Sequence, residues 1–219
     1  MIVTFVEILF YIISLSINGG PSNYAFLSPK SSSLDILGAQ DNKKILENNQ
    51  VWRLITPTFL HGDFEHICGN LALQLLIGSG IENGIGPWYM LALYMTSAIG
   101  GNLFSGILKP EAIGVGASTA VFGLVGFYLA YVITNYNYMD RKRFGQHWCL
   151  LLFVFLLVLL NIGVGLAHND NHVDSYGHLG GFITGFFAGL AFTELFDYEA
   201  RFKKRIPDRY TEEEYNACG

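Results

Sequence analysis

The chain has 219 residues, of which 51% are hydrophobic and only 14% are charged. Soluble domains carry about 25% charged residues, and here the apolar residues fall in blocks of roughly twenty, the length of a helix that crosses a bilayer. This composition excludes an ordinary soluble domain and predicts an integral membrane protein. The net charge of −5 carries little information because the charges are segregated along the chain.

Several types of site are also excluded by the sequence. The three cysteines are widely spaced and form no Cys-x-x-Cys pair, so neither a disulfide framework nor a zinc knuckle is predicted. No His-Glu-x-x-His stretch, glycine-rich phosphate loop or basic nucleic-acid-binding stripe occurs. His168 and His172 lie on either side of a polar loop. A zinc site there would need a third ligand and a helix to hold the two histidines, so it is not predicted. We therefore expect no metal, no cofactor and no nucleic-acid partner.

Six apolar segments are predicted to cross the membrane as helices. They cover residues 2–18, 64–81, 87–108, 114–135, 147–167 and 175–195. The first lacks a basic leader and a small-residue cleavage site, so it is predicted to be a retained span. A long polar loop, residues 19–60, follows it. The predicted fold is an all-α bundle of six transmembrane helices within residues 1–200, followed by a tail over 201–219.

Basic residues predict the orientation of the bundle. Arg141, Lys142 and Arg143 follow the fourth span, and five more follow the sixth: Arg201, Lys203, Lys204, Arg205 and Arg209. Because lysine and arginine favour the cytoplasmic side, both termini are predicted to be cytoplasmic. The second, fourth and sixth spans would then all begin at the outer face.

Unusual polar side chains lie near the outer ends of these three spans: His61, His66, Asn70, Ser118 and His178. Polar and ionisable groups inside a bilayer are costly, and their default interpretation is functional. A serine hydroxyl becomes a useful nucleophile when a neutral imidazole accepts its proton. Ser118 and His178 are therefore a candidate catalytic dyad.

An oxyanion formed by the attacking serine needs hydrogen-bond donors. His66 and Asn70 lie four residues apart and share one helix face, and the backbone N–H of Ser118 is a third candidate donor. Each residue alone has a structural interpretation, because membrane serines often bond to the carbonyl one turn back and asparagines often link helices. Only the combination of these polar residues on one side of the membrane favours a catalytic site.

The fourth and sixth spans carry small residues spaced for close helix contact: Gly116, Gly123, Gly126, Gly181, Gly185 and Gly189. Such spacing lets helix backbones touch in lipid. His178 precedes Gly181 by three residues and shares its face, so packing would aim the imidazole at Ser118. Ordinary helix packing explains the glycines completely, but it does not explain the histidine.

Five motifs follow one another over about residues 50–190: Trp52-Arg53, His61-x4-His66-x3-Asn70, Gly80-Ile81-Glu82, Gly116-Ala117-Ser118 and His178-x2-Gly181-x3-Gly185. In this order they resemble the motifs of the rhomboid family, the intramembrane serine proteases. The resemblance implies a six-helix core with a Ser118–His178 dyad. It also implies an oxyanion pocket built from His66, Asn70 and the Ser118 N–H.

The resemblance also implies roles for neighbouring residues. His61 would support the oxyanion pocket from behind, and Phe122 would stack on the catalytic imidazole. Gly116, Gly181 and Gly185 would allow the close approach of the two helices. One residue departs from the pattern, because Thr119 stands where the family often has glycine. A helix start needs no positive φ, so we expect activity to survive.

Three charged residues receive structural interpretations. Asp174, four residues before His178, is predicted to cap its helix rather than to complete a triad. Glu7 lies near the chain start and is expected to reach the headgroup layer. Arg53 is expected to pin the first loop through carbonyls or a carboxylate.

The predicted function is an intramembrane serine endopeptidase that cuts single-span membrane proteins near the outer end of their helix. Thr119 resembles a variant of some eukaryotic rhomboids, which favours the plasma membrane or a secretory-pathway membrane. Two alternatives stay open: a catalytically inactive rhomboid-like scaffold that binds client helices, and a small transporter or channel with a buried histidine. A transporter predicts internal repeats, and the sequence shows none.

Overall fold

The computed structural model describes residues 2–111, 113–135, 148–149, 151–153, 155–156 and 174–205, with only the backbone described for 193–205. Within these residues the longer elements are eight α-helices: α1 Ile2–Ser16, α2 Ser31–Ile36, α3 Asn42–Asn48, α4 Phe64–Leu73, α5 Ser79–Ile85, α6 Pro87–Leu108, α7 Ser118–Thr134 and α8 Ser175–Arg205. A π-helical segment, Gln74–Gly78, joins α4 to α5 without a break. Two short strands, β1 Gln40–Asp41 and β2 Ile113–Gly114, pair antiparallel.

Short polar signals set several helix ends. The Asp63 side chain accepts a hydrogen bond from the backbone N–H of His66 at 2.8 Å and so caps the start of α4. Asp41 caps α3 in the same way, through the N–H of Lys44 at 3.1 Å. Helix α6 begins with Pro87 directly after Gly86, whose φ is +85°. Proline suits the first helical position because its missing N–H would have no partner there.

The predicted spans agree with the structure at some boundaries and differ at others. The predicted span 87–108 coincides with α6, and the first span coincides with α1 except at its end. The fourth span was predicted to begin at residue 114, but α7 begins at Ser118 because Gly116 adopts a φ of +135°. The last helix continues to Arg205, beyond the predicted end. Most of the predicted span 147–167 lies outside the described residues.

Membrane insertion is supported by two described helices, Ile2–Gly19 and Pro87–Leu108, which are long and apolar enough to cross a bilayer. Ser118–Thr134 is apolar but shorter. The fold is an all-α membrane fold, and the number of six spans remains a prediction. The long first loop is more ordered than its composition indicates, since it contains α2, α3 and two 3-10 turns, Val51–Leu54 and Thr56–Phe59.

Glycines bring α6, α7 and α8 into direct backbone contact. A Cβ on Gly185 would collide with the carbonyl oxygen of Gly123, and one on Gly126 would collide with that of Phe182. On α6, a Cβ at Gly101 would lie 2.6 Å from the carbonyl oxygen of Gly177. Because lipid offers no hydrophobic force between helices, this close van der Waals packing holds the three together. They form the frame that positions the polar residues.

The first loop is fixed to this frame by buried polar side chains. Arg53 donates to the carbonyl oxygens of Ala39 at 2.6 Å and Asp35 at 3.0 Å, as expected for a residue that pins the loop. Asn102 on α6 donates to the carbonyl of Leu54 at 2.8 Å. Gln40 donates to the carbonyl of Asn102 at 2.9 Å. A long loop contains backbone carbonyl groups that regular secondary structure does not pair. Here side-chain amides and a guanidinium donate hydrogen bonds to such groups.

The expectation for Glu7 was wrong. Its side chain does not extend toward a headgroup layer but is completely buried, and its Oε1 lies 2.6 Å from the Tyr94 hydroxyl on α6. The helix turns this residue inward because the neighbouring positions that face outward, Phe5 and Ile8, are apolar.

Candidate active site

Ser118 is the first residue of α7, and the chain before it is held at two points. Gly114 pairs with Gln40 in the β1–β2 ladder, and the N–H of Gly116 donates to the carbonyl of Pro57 at 2.9 Å. Gly116 then turns the chain into the helix with a φ of +135°, a conformation that favours glycine. The first loop therefore fixes the position of the serine. No local pattern in the sequence predicted the hydrogen bond between Gly116 and Pro57.

Ser118 and His178 meet directly. His178 Nε2 lies 2.7 Å from Ser118 Oγ, although the two residues are 60 positions apart. The imidazole is almost fully buried and stacks on the Phe122 ring, with centroids 4.3 Å apart and an angle of 5° between the planes. With its proton on Nδ1, the imidazole accepts the serine proton through Nε2. Three residues predicted from the sequence are thus brought together in hydrogen-bond and stacking contact.

The glycine spacing explains how His178 reaches the serine. A Cβ on Gly181 would collide with the carbonyl oxygen of Thr119, so only glycine lets α8 lie this close to the start of α7. The prediction that Thr119 needs no positive φ is confirmed, since the residue lies in regular helix. Its side chain fits because the facing residue, Gly177, has none: a Cβ there would lie 2.9 Å from Thr119 Cγ2.

Asp174 caps α8, as predicted. Its Oδ1 accepts a hydrogen bond from the N–H of Gly177 at 2.9 Å, and its carbonyl oxygen accepts from the N–H of His178 at 3.0 Å. The carboxylate is therefore engaged with the helix N-terminus, where negative charge is favoured. This geometry matches a helix cap.

The proposed oxyanion donors lie on α4. The imidazole of His66 lies beside Gly116, where a Cβ would approach His66 Nε2 to 2.9 Å and Ser118 Oγ to 3.5 Å. The His66 ring therefore packs directly against Gly116, close to the start of α7. Asn70, one turn further along α4, is buried, and its Nδ2 has no hydrogen-bond partner among the described residues. Among the described residues, the Asn70 amide is therefore a donor without a partner on the face of α4 that carries His66.

His61 lies behind His66, with ring centroids 5.3 Å apart in an edge-to-face arrangement. Burial lowers the pKa of His61 to about 3, so the ring is neutral at physiological pH. Neither of its ring nitrogens has a hydrogen-bond partner in the described part of the chain. His61 contacts the candidate donor rather than the serine, which agrees with a supporting role.

Metal ligands are not assembled in the residues that the structure describes, where no group of three or more His, Cys, Asp and Glu side chains could hold an ion. His168 and His172 lie outside the described residues. Ser118 and His178 can exchange a proton, and side chains on α4 can donate hydrogen bonds.

The fold and the site define a helical membrane protein with a serine and a histidine in hydrogen-bond contact. The Rhomboid domain family matches residues 48–195 of the chain. RHOMBOID-like protein 1 of Arabidopsis thaliana is 33% identical in an alignment of 205 positions that covers 85% of this chain and 51% of that protein. Rhomboid-like protease 1 of Toxoplasma gondii is 34% identical over 193 residues, 88% of this chain and 62% of that protein. The chain belongs to the rhomboid family.

Rhomboid-like protease 2 of Toxoplasma gondii is similar to the same degree, with 34% identity over 199 residues, 90% of this chain and 66% of that protein. The chain spans between about half and two thirds of the length of these three relatives. The names of two of these relatives support a peptidase.

Proposed function

We propose that the protein is an intramembrane serine endopeptidase in which Ser118 is the nucleophile and His178 is the general base. The observation that carries this proposal is the 2.7 Å contact between His178 Nε2 and Ser118 Oγ. His178 takes the hydroxyl proton as Ser118 Oγ bonds to the scissile carbonyl carbon, and it then gives that proton to the leaving amine. A water molecule, activated by the same imidazole, releases the acyl group and regenerates the serine.

The negative charge that develops on the carbonyl oxygen needs donors arranged in advance. The unpaired Nδ2 of Asn70, a ring N–H of His66 and the backbone N–H of Ser118 are the proposed donors. The close packing of the His66 ring against Gly116, two residues before Ser118, supports this assignment. Phe122 holds the imidazole flat against itself and so limits its rotation.

The proposed substrates are single-span membrane proteins, cut near the outer end of their helix. Backbone carbonyls in a regular helix are hydrogen-bonded and shielded, so small or helix-breaking residues near the cleavage site should favour cutting. The protein would act in the plane of a plasma-membrane or secretory-pathway bilayer, with both termini cytoplasmic. No metal ion, cofactor or nucleic acid takes part in the proposed reaction.

A fluorophosphonate probe, which forms a covalent bond with activated serines, tests the proposal on purified full-length protein. The native chain is expected to be labelled, and Ser118→Ala is expected to lose the label. Ser105→Ala is the control, because Ser105 is a fully buried serine on α6 that the proposed reaction does not use. His178→Ala is expected to abolish labelling while the protein remains folded and membrane-inserted.

Equal labelling of the native chain and Ser118→Ala, or labelling of neither, contradicts the proposal. The second of these results is the one that an inactive scaffold would give. Cleavage of a panel of single-span proteins in cells, with Ser118→Ala as the blank, then identifies the substrate class.

A further inference from the structure

A second polar cluster lies between α1, α6 and the π-helical segment. It consists of Thr4 and Glu7 on α1, Gln74 at the start of the π-helical segment and Tyr94 on α6, and we name it the carboxyl cluster. Tyr94 lies seven residues before Gly101, the α6 residue that contacts Gly177, which places it about 10 Å further along that helix. The catalytic proposal uses none of these four residues.

Helix α1 is built to bury this cluster. Thr4, Glu7, Tyr11 and Ser14 follow one another at spacings of three and four residues and form one stripe of the helix. Glu7, Tyr11 and Ser14 are buried, whereas Phe5 and Ile12 are more than half exposed. In water the opposite arrangement would be stable, so α1 has the pattern of a helix that faces lipid outside and polar groups inside.

The hydrogens in the carboxyl cluster can be counted. The Tyr94 hydroxyl oxygen lies 2.6 Å from Glu7 Oε1 and 2.7 Å from Gln74 Oε1, and its single hydrogen serves only one of these two acceptors. Gln74 Nε2 donates to Thr4 Oγ1 at 2.9 Å, and in this orientation the amide oxygen faces Tyr94. The second short contact then lacks a hydrogen unless the Glu7 carboxyl group supplies it.

Turning the Gln74 amide would supply the missing hydrogen, but it would leave Glu7 ionised. Glu7 is fully buried, and its Oε2 has no hydrogen-bond partner among the described residues. No lysine, arginine or histidine in the described part of the chain forms an ion pair with it. An ionised carboxylate is not stable in such a place, since buried charges need a partner.

We propose that Glu7 is a proton-binding site, and that the neutral carboxylic acid joins α1 to α6 and to the π-helical segment. The acid donates to Tyr94, Tyr94 donates to Gln74, and Gln74 donates to Thr4, so that every hydrogen in the chain of contacts has an acceptor. Loss of the Glu7 proton breaks the first link and leaves a buried charge, which weakens the docking of α1.

Tyr94 also lines a cavity of about 20 Å³, large enough for one water molecule, together with Val3 and Glu82. The titratable groups near Glu7 are Tyr94 on α6, whose hydroxyl contacts it, and Tyr11, one turn along its own helix. Neither of them carries a positive charge that could pair with an ionised Glu7.

The thermal midpoint of the full chain in nanodiscs, measured from about pH 5 to pH 8 for the native protein and Glu7→Gln, tests the proposal. Glutamine keeps the shape and a donor but cannot ionise. Since the folded state holds a proton that the unfolded state releases, the native midpoint should fall relative to that of Glu7→Gln as the pH rises. At the acidic end of the range the two proteins should have the same midpoint.

Labelling by dicyclohexylcarbodiimide, which reacts with protonated carboxyl groups in membranes, gives an independent measurement. Mass spectrometry should find the adduct on Glu7, and the yield should fall as the pH rises. A difference in midpoint that does not change with pH overturns the proposal. Failure of Glu7→Gln to fold, or absence of the adduct at every pH, overturns it as well. None of these results depends on whether Ser118 is a nucleophile.

Discussion

Asn70 and Gln74 are both buried carboxamides, four residues apart on one face of a continuous helical segment, yet they have different surroundings. Gln74 bonds to side chains on two other helices, Thr4 on α1 and Tyr94 on α6. The Nδ2 of Asn70 has no partner among the described residues and lies on the helix that carries His66. The Gln74 amide forms hydrogen bonds with its neighbours, whereas the Asn70 Nδ2 forms none with the described residues.

This difference teaches how a membrane bundle separates stability from function. Buried polar groups that are paired between helices link them, whereas a buried polar group without a partner costs free energy and is retained for another reason. We therefore expect substitutions at the Gln74 end of the helix face to change stability, and substitutions at the Asn70 end to change turnover.

The largest effect is expected from Asn70→Ala. Removal of one oxyanion donor lowers kcat by roughly 10²–10³ in serine proteases, and the same loss is expected here. The thermal midpoint should barely change, because the Asn70 Nδ2 has no hydrogen bond to lose in the part of the chain that the structure describes. Cleavage rates and midpoints measured on the same preparation check both parts. A large fall in the midpoint with unchanged kcat would make Asn70 a structural residue like Gln74.

Gln74→Leu is expected to give the opposite result. Leucine keeps most of the volume but removes the acceptor of the Tyr94 hydroxyl and the donor to Thr4, which should cost about 1–3 kcal/mol of stability. The turnover of the protein that remains folded should stay within a few-fold of the native value. Denaturation in detergent, followed by the fluorophosphonate labelling rate, measures the two quantities separately. Loss of labelling at native stability would remove the contrast between the two amides.

Phe122→Leu should have a smaller effect, confined to the site. The parallel stack on His178 contributes about 0.5–1.5 kcal/mol beyond its buried area, so activity is expected to fall by about 3- to 10-fold. Phe187→Leu is the control, because its ring is 63% exposed and lies on the same helix as His178. If both variants lost activity equally, the effect would belong to helix packing and not to the orientation of the imidazole.

Asp174→Asn should change least. Asparagine caps helices as well as aspartate does, so the hydrogen bond to the Gly177 N–H is kept and only a small dipole contribution is lost. Most of the activity and nearly all of the stability should remain. A fall in kcat on the order of 10⁴, the size seen when a triad carboxylate is neutralised, would show that a dyad is insufficient.

The sequence was sufficient to predict the pair of Ser118 and His178, because both are polar residues near the outer ends of apolar spans and both spans carry glycines that allow close helix contact. The start of α7 was not predictable from hydropathy, since residues 113–117 are as apolar as the helix that follows and only the φ of Gly116 separates them. The predicted edge was therefore four residues too early.

Burial of Glu7 was not predictable for another reason. Its partners, Tyr94 and Gln74, belong to other helices, and the hydrogen bond to Tyr94 spans 87 positions of the sequence. The local sequence pattern shows that a carboxylate is unusual in an apolar segment. It does not show which side chains form hydrogen bonds with that carboxylate. The contact between Pro57 and Gly116 escaped prediction in the same way, because a backbone hydrogen bond from a loop leaves no mark on composition.

That contact has a consequence for protein engineering. Gly116 is bonded to Pro57, and Gly114 is paired with Gln40. The segment from residue 40 to residue 57 therefore fixes the position of Ser118. An epitope tag or fluorescent reporter inserted there would shift the reactive hydroxyl even though the insertion touches no catalytic side chain. Loops between spans usually tolerate such fusions, but this one should not be chosen for them.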